Sequence, residues 1–166
     1  PIGSDSMGSF EGISIGVEGA PSLLDALIGM ANDLRGIPIV VPAEARSLYH
    51  AGAVFVCGYF VALFRDALTL WQLGGLSREV ATSALAQLVK TTLENLQVLG
   101  PEDSQTGPIP RGDMGTVKQH VEILREQAPE LVGVYSALAA RALDLAVKSG
   151  RQNSSSIAAW KRLIED

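Results

Sequence analysis

The sequence predicts a mainly α-helical chain that opens with a short βαβ unit, and three observations lead to that fold class. Hydrophobic residues make up 47% of the 166 residues and charged ones 19%, enough for a packed core and against disorder. Aromatic residues are only 5%, which suits closely packed helices better than a sheet sandwich. Apolar residues alternate with period two near the N-terminus, whereas after Pro42 they recur at helical spacing among good helix formers.

Ile13, Ile15 and Val17 alternate with Ser14, Gly16 and Glu18, predicting a strand from about Phe10 to Glu18 with one face buried. Pro21 suits a first helical turn, Leu23, Leu24, Leu27, Ile28 and Leu34 share a helical face, and Gly36 reads as the C-terminal stop. Ile37 to Val41 is a β-branched run closed by Pro42, so the order is that of a parallel βαβ unit. Two parallel strands need further strands or extensive cover. The unit therefore reads as the edge of a larger sheet supplied by another segment or chain, and the sequence as a truncated protein. The alternative is a ribbon covered by the helices alone.

Glu44 to about Gly74 predicts one long helix ending at Gly74-Gly75. Its unbroken apolar run, Ala51 to Phe64, is shorter than the roughly 20 residues of a membrane span, so it reads as a buried core helix. Ser77 caps a second helix with the stripe Val80, Leu85, Leu88, Leu93 and Leu96, which stops at Gly100-Pro101. After a loop from Pro101 to Gly112, Asp113 caps a third helix to about Gln127. Pro129 opens a fourth to Gly150, and Ser154 to Ser156 start a short fifth. The expected division is residues 1–42 and 43–166.

A net charge of −5 and a pI near 5.0 argue against nucleic acid, whose backbone needs a concentrated positive field. The single cysteine, Cys57, forms no internal disulfide, and no metal-ligand spacing is present. With no basic segment leading into an apolar run at the N-terminus, a cytoplasmic protein without membrane attachment is expected. The apolar excess predicts a homodimer.

Few residues carry chemistry. Pro1, with Ile2, matches the start of some tautomerases, in which a terminal secondary amine is the base; simple trimming also explains it. Tyr49 and His50 precede the apolar stretch, and His50 shares a face with Val54, Cys57 and Val61. His50 reads either as a proton donor to a carbonyl or imine or as a core histidine bonded to a carbonyl. Tyr49 has the same two readings. Gly52, Ala53, Cys57 and Gly58 imply close approach of another backbone or a ligand, helix packing being the first explanation. Cys57 reads as a small hydrophobe. In Thr106-Gly107-Pro108-Ile109-Pro110-Arg111-Gly112-Asp113, prolines restrict the backbone, glycines permit close approach and Arg111 offers a fork for a small anionic substrate. The same loop also reads as a connector in which Arg111 pairs with Asp113. Asn95, near the end of the preceding helix, reads either as facing this loop or as a capping or solvent-exposed residue, and His120 reads as surface. Gly16-Val17-Glu18-Gly19 lacks the spacing of a dinucleotide fingerprint.

Phe10-Glu11-Gly12 to Glu18-Gly19, Pro42-Ala43-Glu44-Ala45-Arg46 through Tyr49-His50-Ala51, and Thr106 to Asp113 resemble a family of poorly characterised Rossmann-like oxidoreductases. These are similar to pyrroline-5-carboxylate and ketopantoate reductases. The resemblance covers nearly the whole chain and implies a helical domain of the 6-phosphogluconate dehydrogenase C-terminal type, preceded by the last βαβ unit of a Rossmann sheet. It implies NADP or NAD in the full-length protein, none bound by this chain alone, and a dimer whose helices wall a substrate cleft. His50 matches its catalytic position. Tyr49, Cys57, Asn95, Thr106, Gly107, Pro108 and Arg111 are the substrate-binding candidates. Cys57 and Gly58 depart from the Ser-Asn pair expected there, losing a polar group. The implied activity is reduction of a small carbonyl or imine; the alternative is a non-catalytic helical dimer with a regulatory or interaction role.

Overall fold

The alternation at the N-terminus produces β1 (Ser14–Val17), shorter than the sequence implies, in which Ile15 and Val17 turn inward. Pro21 opens α1 (Pro21–Asp33), and β2 (Ile37–Val40) pairs with β1 in parallel, Ser14 opposite Ile37 and Val17 opposite Val40. The computed structural model describes residues 10–165. Pro1 lies outside them. The chain divides into two compact units, one up to Val61 and one from Ala62.

The end of α1 differs from the expectation at Gly36. Arg35 takes the left-handed position, φ 59°, while Arg35 N donates to Asn32 O at 2.8 Å and Gly36 N to Ala31 O at 3.0 Å. This is the paired-bond helix stop, with arginine where glycine is usual. Gly36 is glycine for steric reasons: a Cβ there would fall 2.4 Å from Ile15 Cδ1.

The single long helix is interrupted. A 3-10 turn (Ala43–Ala45) leads into α2 (Arg46–Val56), Cys57 departs from helical geometry at φ −112°, ψ −69°, and α3 (Gly58–Leu73) follows. The ladder continues from Cys57 N to Ala53 O and from Val61 N to Cys57 O, so the break is a local bend next to a glycine. Six helices therefore follow the βαβ piece among the described residues, where five were expected. Nor is this stretch a buried core. Leu48, Val56 and Val61 are exposed, Phe55 is 68% exposed, Cys57 is exposed, and the space above Gly52 is open. Ala43–Leu73 is long and apolar enough to cross a membrane by length and composition. An unbroken apolar run underestimates this, because a few interspersed charges do not abolish a span.

The second unit is helical throughout. Ser77 Oγ accepts from Val80 N and caps α4 (Arg78–Ser104), whose helical geometry breaks at Gly100 (φ 76°, ψ 171°) before one last turn opened by Pro101. Of the stripe assigned to this helix only Leu85 is buried; Val80, Leu88, Leu93 and Leu96 are exposed. Leu68 of α3 packs with Ala81 and Leu85. α5 (Met114–Gln127), α6 (Val132–Lys148) and α7 (Ile157–Glu165) enclose the main core around Trp160, 1% exposed, and Val117. Short 3-10 turns at Pro129–Leu131 and Ser154–Ser156 start the last two, as their proline and serines predict.

Candidate functional site

The loop between α4 and α5 is built from both ends. Asp113 caps α5, its carboxylate accepting from Thr116 N at 3.0 Å and Thr116 Oγ1 at 2.7 Å. Those bonds hold the carboxyl below its ordinary value, with a smaller contribution from the charge of Arg111. Arg111 itself is exposed. Gly107 takes φ 102°, a region that side chains disfavour, with nothing within 4 Å of a Cβ there. Its glycine serves the turn and not a close approach.

Two residues that sequence reasoning passed over fix this loop. Ile109 is buried in the main core with Val117, Leu143 and Trp160. From the connection after α6, Arg151 Nη1 donates to Gln105 O at 2.6 Å and Arg151 Nη2 to Glu102 O at 2.6 Å, with Asp103 Oδ1 at 3.2 Å.

Held in this way, Thr106 and Pro108 line a cavity of about 340 Å³ together with Gln105, His120, Tyr135 and apolar residues of α6. Gln105 Nε2 donates to Ala142 O at 2.7 Å, while Gln105 Oε1 is buried with no partner. His120 Nδ1 and Tyr135 Oη are 2.9 Å apart, their rings edge-on with centroids at 5.9 Å. Burial pushes the Tyr135 phenol up. This pair also borders a cavity of about 450 Å³ formed with Leu70, Trp71, Ile123 and Leu124. His120 is thus half-buried and not a surface residue. Its spacing carried the signal: it stands three residues after Val117 and four before Leu124, on the buried stripe of α5. Asn95, half-buried on α4, does not line the cavity.

The other candidates belong to the first unit. Tyr49 lies against β1, where a Cβ at Gly16 would come within 3.1 Å of its hydroxyl. His50 is exposed and makes no hydrogen bond or ion pair among the described residues, which removes the core-histidine reading. Among the described residues, a Cβ at Gly58 would meet only Val54 at 3.8 Å, and one at Gly52 nothing within 4 Å.

At the C-terminal ends of β1 and β2 a cavity of about 430 Å³ is lined by Glu18, Gly19, Ala20, Val41 and Pro42. Open α/β sheets bind ligands at this end of their strands. Glu18 receives Arg46 Nε at 2.8 Å and Nη2 at 2.5 Å, which keeps its carboxyl below the usual range. A dinucleotide does not fit these residues. A pyrophosphate needs successive backbone N–H donors at a helix start, whereas here Pro21 has none to offer and Glu18 presents negative charge. Among the described residues no group of three or more His, Cys, Asp or Glu side chains could hold a metal ion.

The structure is similar to the crystal structure of protein TM1727 from Thermotoga maritima, with a TM-score of 0.74 and 25% identity. The match covers 89% of this chain and 58% of that one, so this chain spans little more than half the length of its structural relative. No curated protein matches the sequence. Residues 13–142 match the family model described as a domain of unknown function, DUF2520, and the chain belongs to that family.

Proposed function

We propose that the chain is the dimerisation and substrate-binding part of an NAD(P)-dependent oxidoreductase that reduces a small carbonyl or imine. The observation that supports it most is the polarity of the β-ladder. Ile37 N donates to Ile13 O at 2.8 Å and Val41 N to Val17 O at 2.9 Å, so the amide positions of Pro38 and Val40 face away from β1. Pro38 has no N–H to give, which makes β2 an outer edge and leaves β1 as the strand that accepts a neighbour. The order is that of the last two strands of a parallel sheet. The exposed Ile13 and Ile37 are then covered by its remainder.

On this reading the nucleotide is bound by residues beyond those described, since Glu18 and Pro21 reject it. The residues of this chain bind and orient the substrate. His50 supplies a proton at the reacting oxygen or nitrogen, and Arg111 attracts an anionic group at the mouth of the loop. The exposed faces of α2 and α3 are covered by a second copy of the chain and not by lipid, and the protein works in the cytoplasm. The departure at Cys57 and Gly58 favours a second reading, a helical dimer without catalysis.

Titration of the complete gene product and of residues 1–166 with NADPH and NADH separates the alternatives. Saturable binding by the complete product alone is expected. A panel of small keto acids and cyclic imines should then give turnover that His50→Gln lowers by about 10²–10⁴-fold. Unchanged turnover in both His50→Gln and Arg111→Met overturns the assignment of these residues, and an absence of nucleotide binding overturns the reductase.

A further inference from the structure

We propose that the cavity between α5 and α7 binds a small organic anion, a carboxylate or phosphate head on a hydrocarbon body. None of the residues given a role in the reductase reading lines it. The proposal requires neither nucleotide nor turnover, and it stands if that reading falls.

Helical spacing builds the wall. Lys118, Val121 and Arg125 follow one stripe of α5, three and four residues apart, and Arg162 and Leu163 join them from α7. The floor is apolar, with Val121 buried and Met114 and Leu163 half-buried.

Charge selects the occupant. Three cations and one carboxylate line the cavity, although the chain as a whole carries a net charge of −5. That carboxylate, Glu122, is engaged by Lys118 at 3.8 Å. Two guanidiniums are left unanswered. Arg125 makes no hydrogen bond or ion pair among the described residues, and Arg162 uses only Nε, on Ala158 O at 3.3 Å. Each stands in the last turn of its helix, where the carbonyl end favours a cation. That placement accounts for their charge and occupies none of their forked Nη donors, whose geometry matches a carboxylate or phosphate.

The floor requires the rest of the molecule. A bare inorganic anion would meet the guanidiniums and leave Val121 and Leu163 wet, whereas a hydrocarbon body covers them. A volume of about 460 Å³ falls within the range of about 300–1,000 Å³ common to small-molecule sites.

The test follows ¹⁵N resonances of α5 and α7 during titration of the chain with phenylacetate, phenyl phosphate, benzyl alcohol and inorganic phosphate. Low salt is used, since exposed guanidiniums are screened at high salt. Saturable shifts with phenylacetate or phenyl phosphate are expected, the tighter of the two naming the head group. Benzyl alcohol and inorganic phosphate should each bind at least about ten-fold more weakly. Arg125→Met and Arg162→Met should each lower the affinity of the tighter probe by about ten-fold. Lys161→Met, exposed on α7 and outside the wall, should change it by less than about two-fold, because a charge off the wall acts only through screened water. The probe series decides the matter by itself if an arginine variant does not fold. Equal binding of benzyl alcohol would mean an apolar crevice, and equal binding of inorganic phosphate a plain cationic patch. Equal losses in Lys161→Met and the arginine variants would mean a diffuse field, and no saturable shift an unused groove. Each of these four results overturns the proposal.

Discussion

The guanidinium of Arg151 donates to the carbonyl oxygen of Gln105 at 2.6 Å, tying the start of the α4–α5 loop to a residue forty-six positions later. Because the same side chain also holds Glu102 O, it fixes the backbone from which Gln105 reaches into the cavity. Arg151→Met should lower stability by about 1.5–3 kcal/mol, the range for hydrogen bonds to a charged group, seen as a lower urea midpoint. Arg151→Lys should recover part of the loss, since a single ammonium does not reproduce the two-pronged grip. Equal midpoints for all three proteins would show that the loop holds itself.

Asp113 makes the cap of α5 sensitive to acid. Its carboxyl is depressed in the folded chain by the Thr116 bonds, so its contribution is fully present above the ordinary aspartate value of about 3.9. It is lost as pH falls through the lower, folded value. Thermal melts of wild type and Asp113→Asn should run parallel above about pH 5 and converge toward pH 3. Asparagine still caps but has no proton to take up. A constant gap between the two curves down to pH 3 would exclude Asp113 as the acid-sensitive group.

Neighbouring residues at the end of α1 should respond with opposite signs. Arg35→Gly places glycine at φ 59° and should stabilise by about 1 kcal/mol, the left-handed penalty less the entropy of glycine. Its ion pair with Glu11, at 3.7 Å between exposed groups, adds little. Gly36→Ala brings a methyl against Ile15 and should cost about 1–3 kcal/mol. Chemical denaturation of the two variants gives both signs in one experiment.

Local chemistry was legible in the sequence wherever it decided the outcome. Pro21, Ser77, Asp113 and Pro129 each open the helix assigned to them, because a cap or a fixed φ acts within a few residues. What escaped depends on partners distant in sequence. Gly36 looked like a helix stop because Ile15 is not visible from its neighbours, and Arg151 was passed over because its acceptors lie near residue 105. The candidate site divided in the same way. Thr106 and Pro108 do line a cavity, having been chosen for loop stiffness, but Gln105 and the His120–Tyr135 pair are brought to it by the packing of α5 on α6. Burial was misjudged most on α2 and α3, since an apolar pattern shows that a face needs cover without naming what covers it.

That uncovered face supplies the last prediction. Phe55 and Tyr59 stack edge-on at 5.4 Å while Phe55 and Val56 remain 68% and 72% exposed, an arrangement costly in water at about 25 cal/mol per Å² of apolar surface. If a second copy of the chain covers them, the protein is a dimer in light scattering without detergent, and Phe55→Asp converts it to a monomer. The melting temperature extrapolated to low concentration should hardly change, because Phe55 contributes little to packing within its own chain. If lipid covers them instead, the wild type requires detergent and cofractionates with vesicles, and Phe55→Asp releases it. A wild-type monomer soluble without detergent contradicts both, and would place the cover on a different protein.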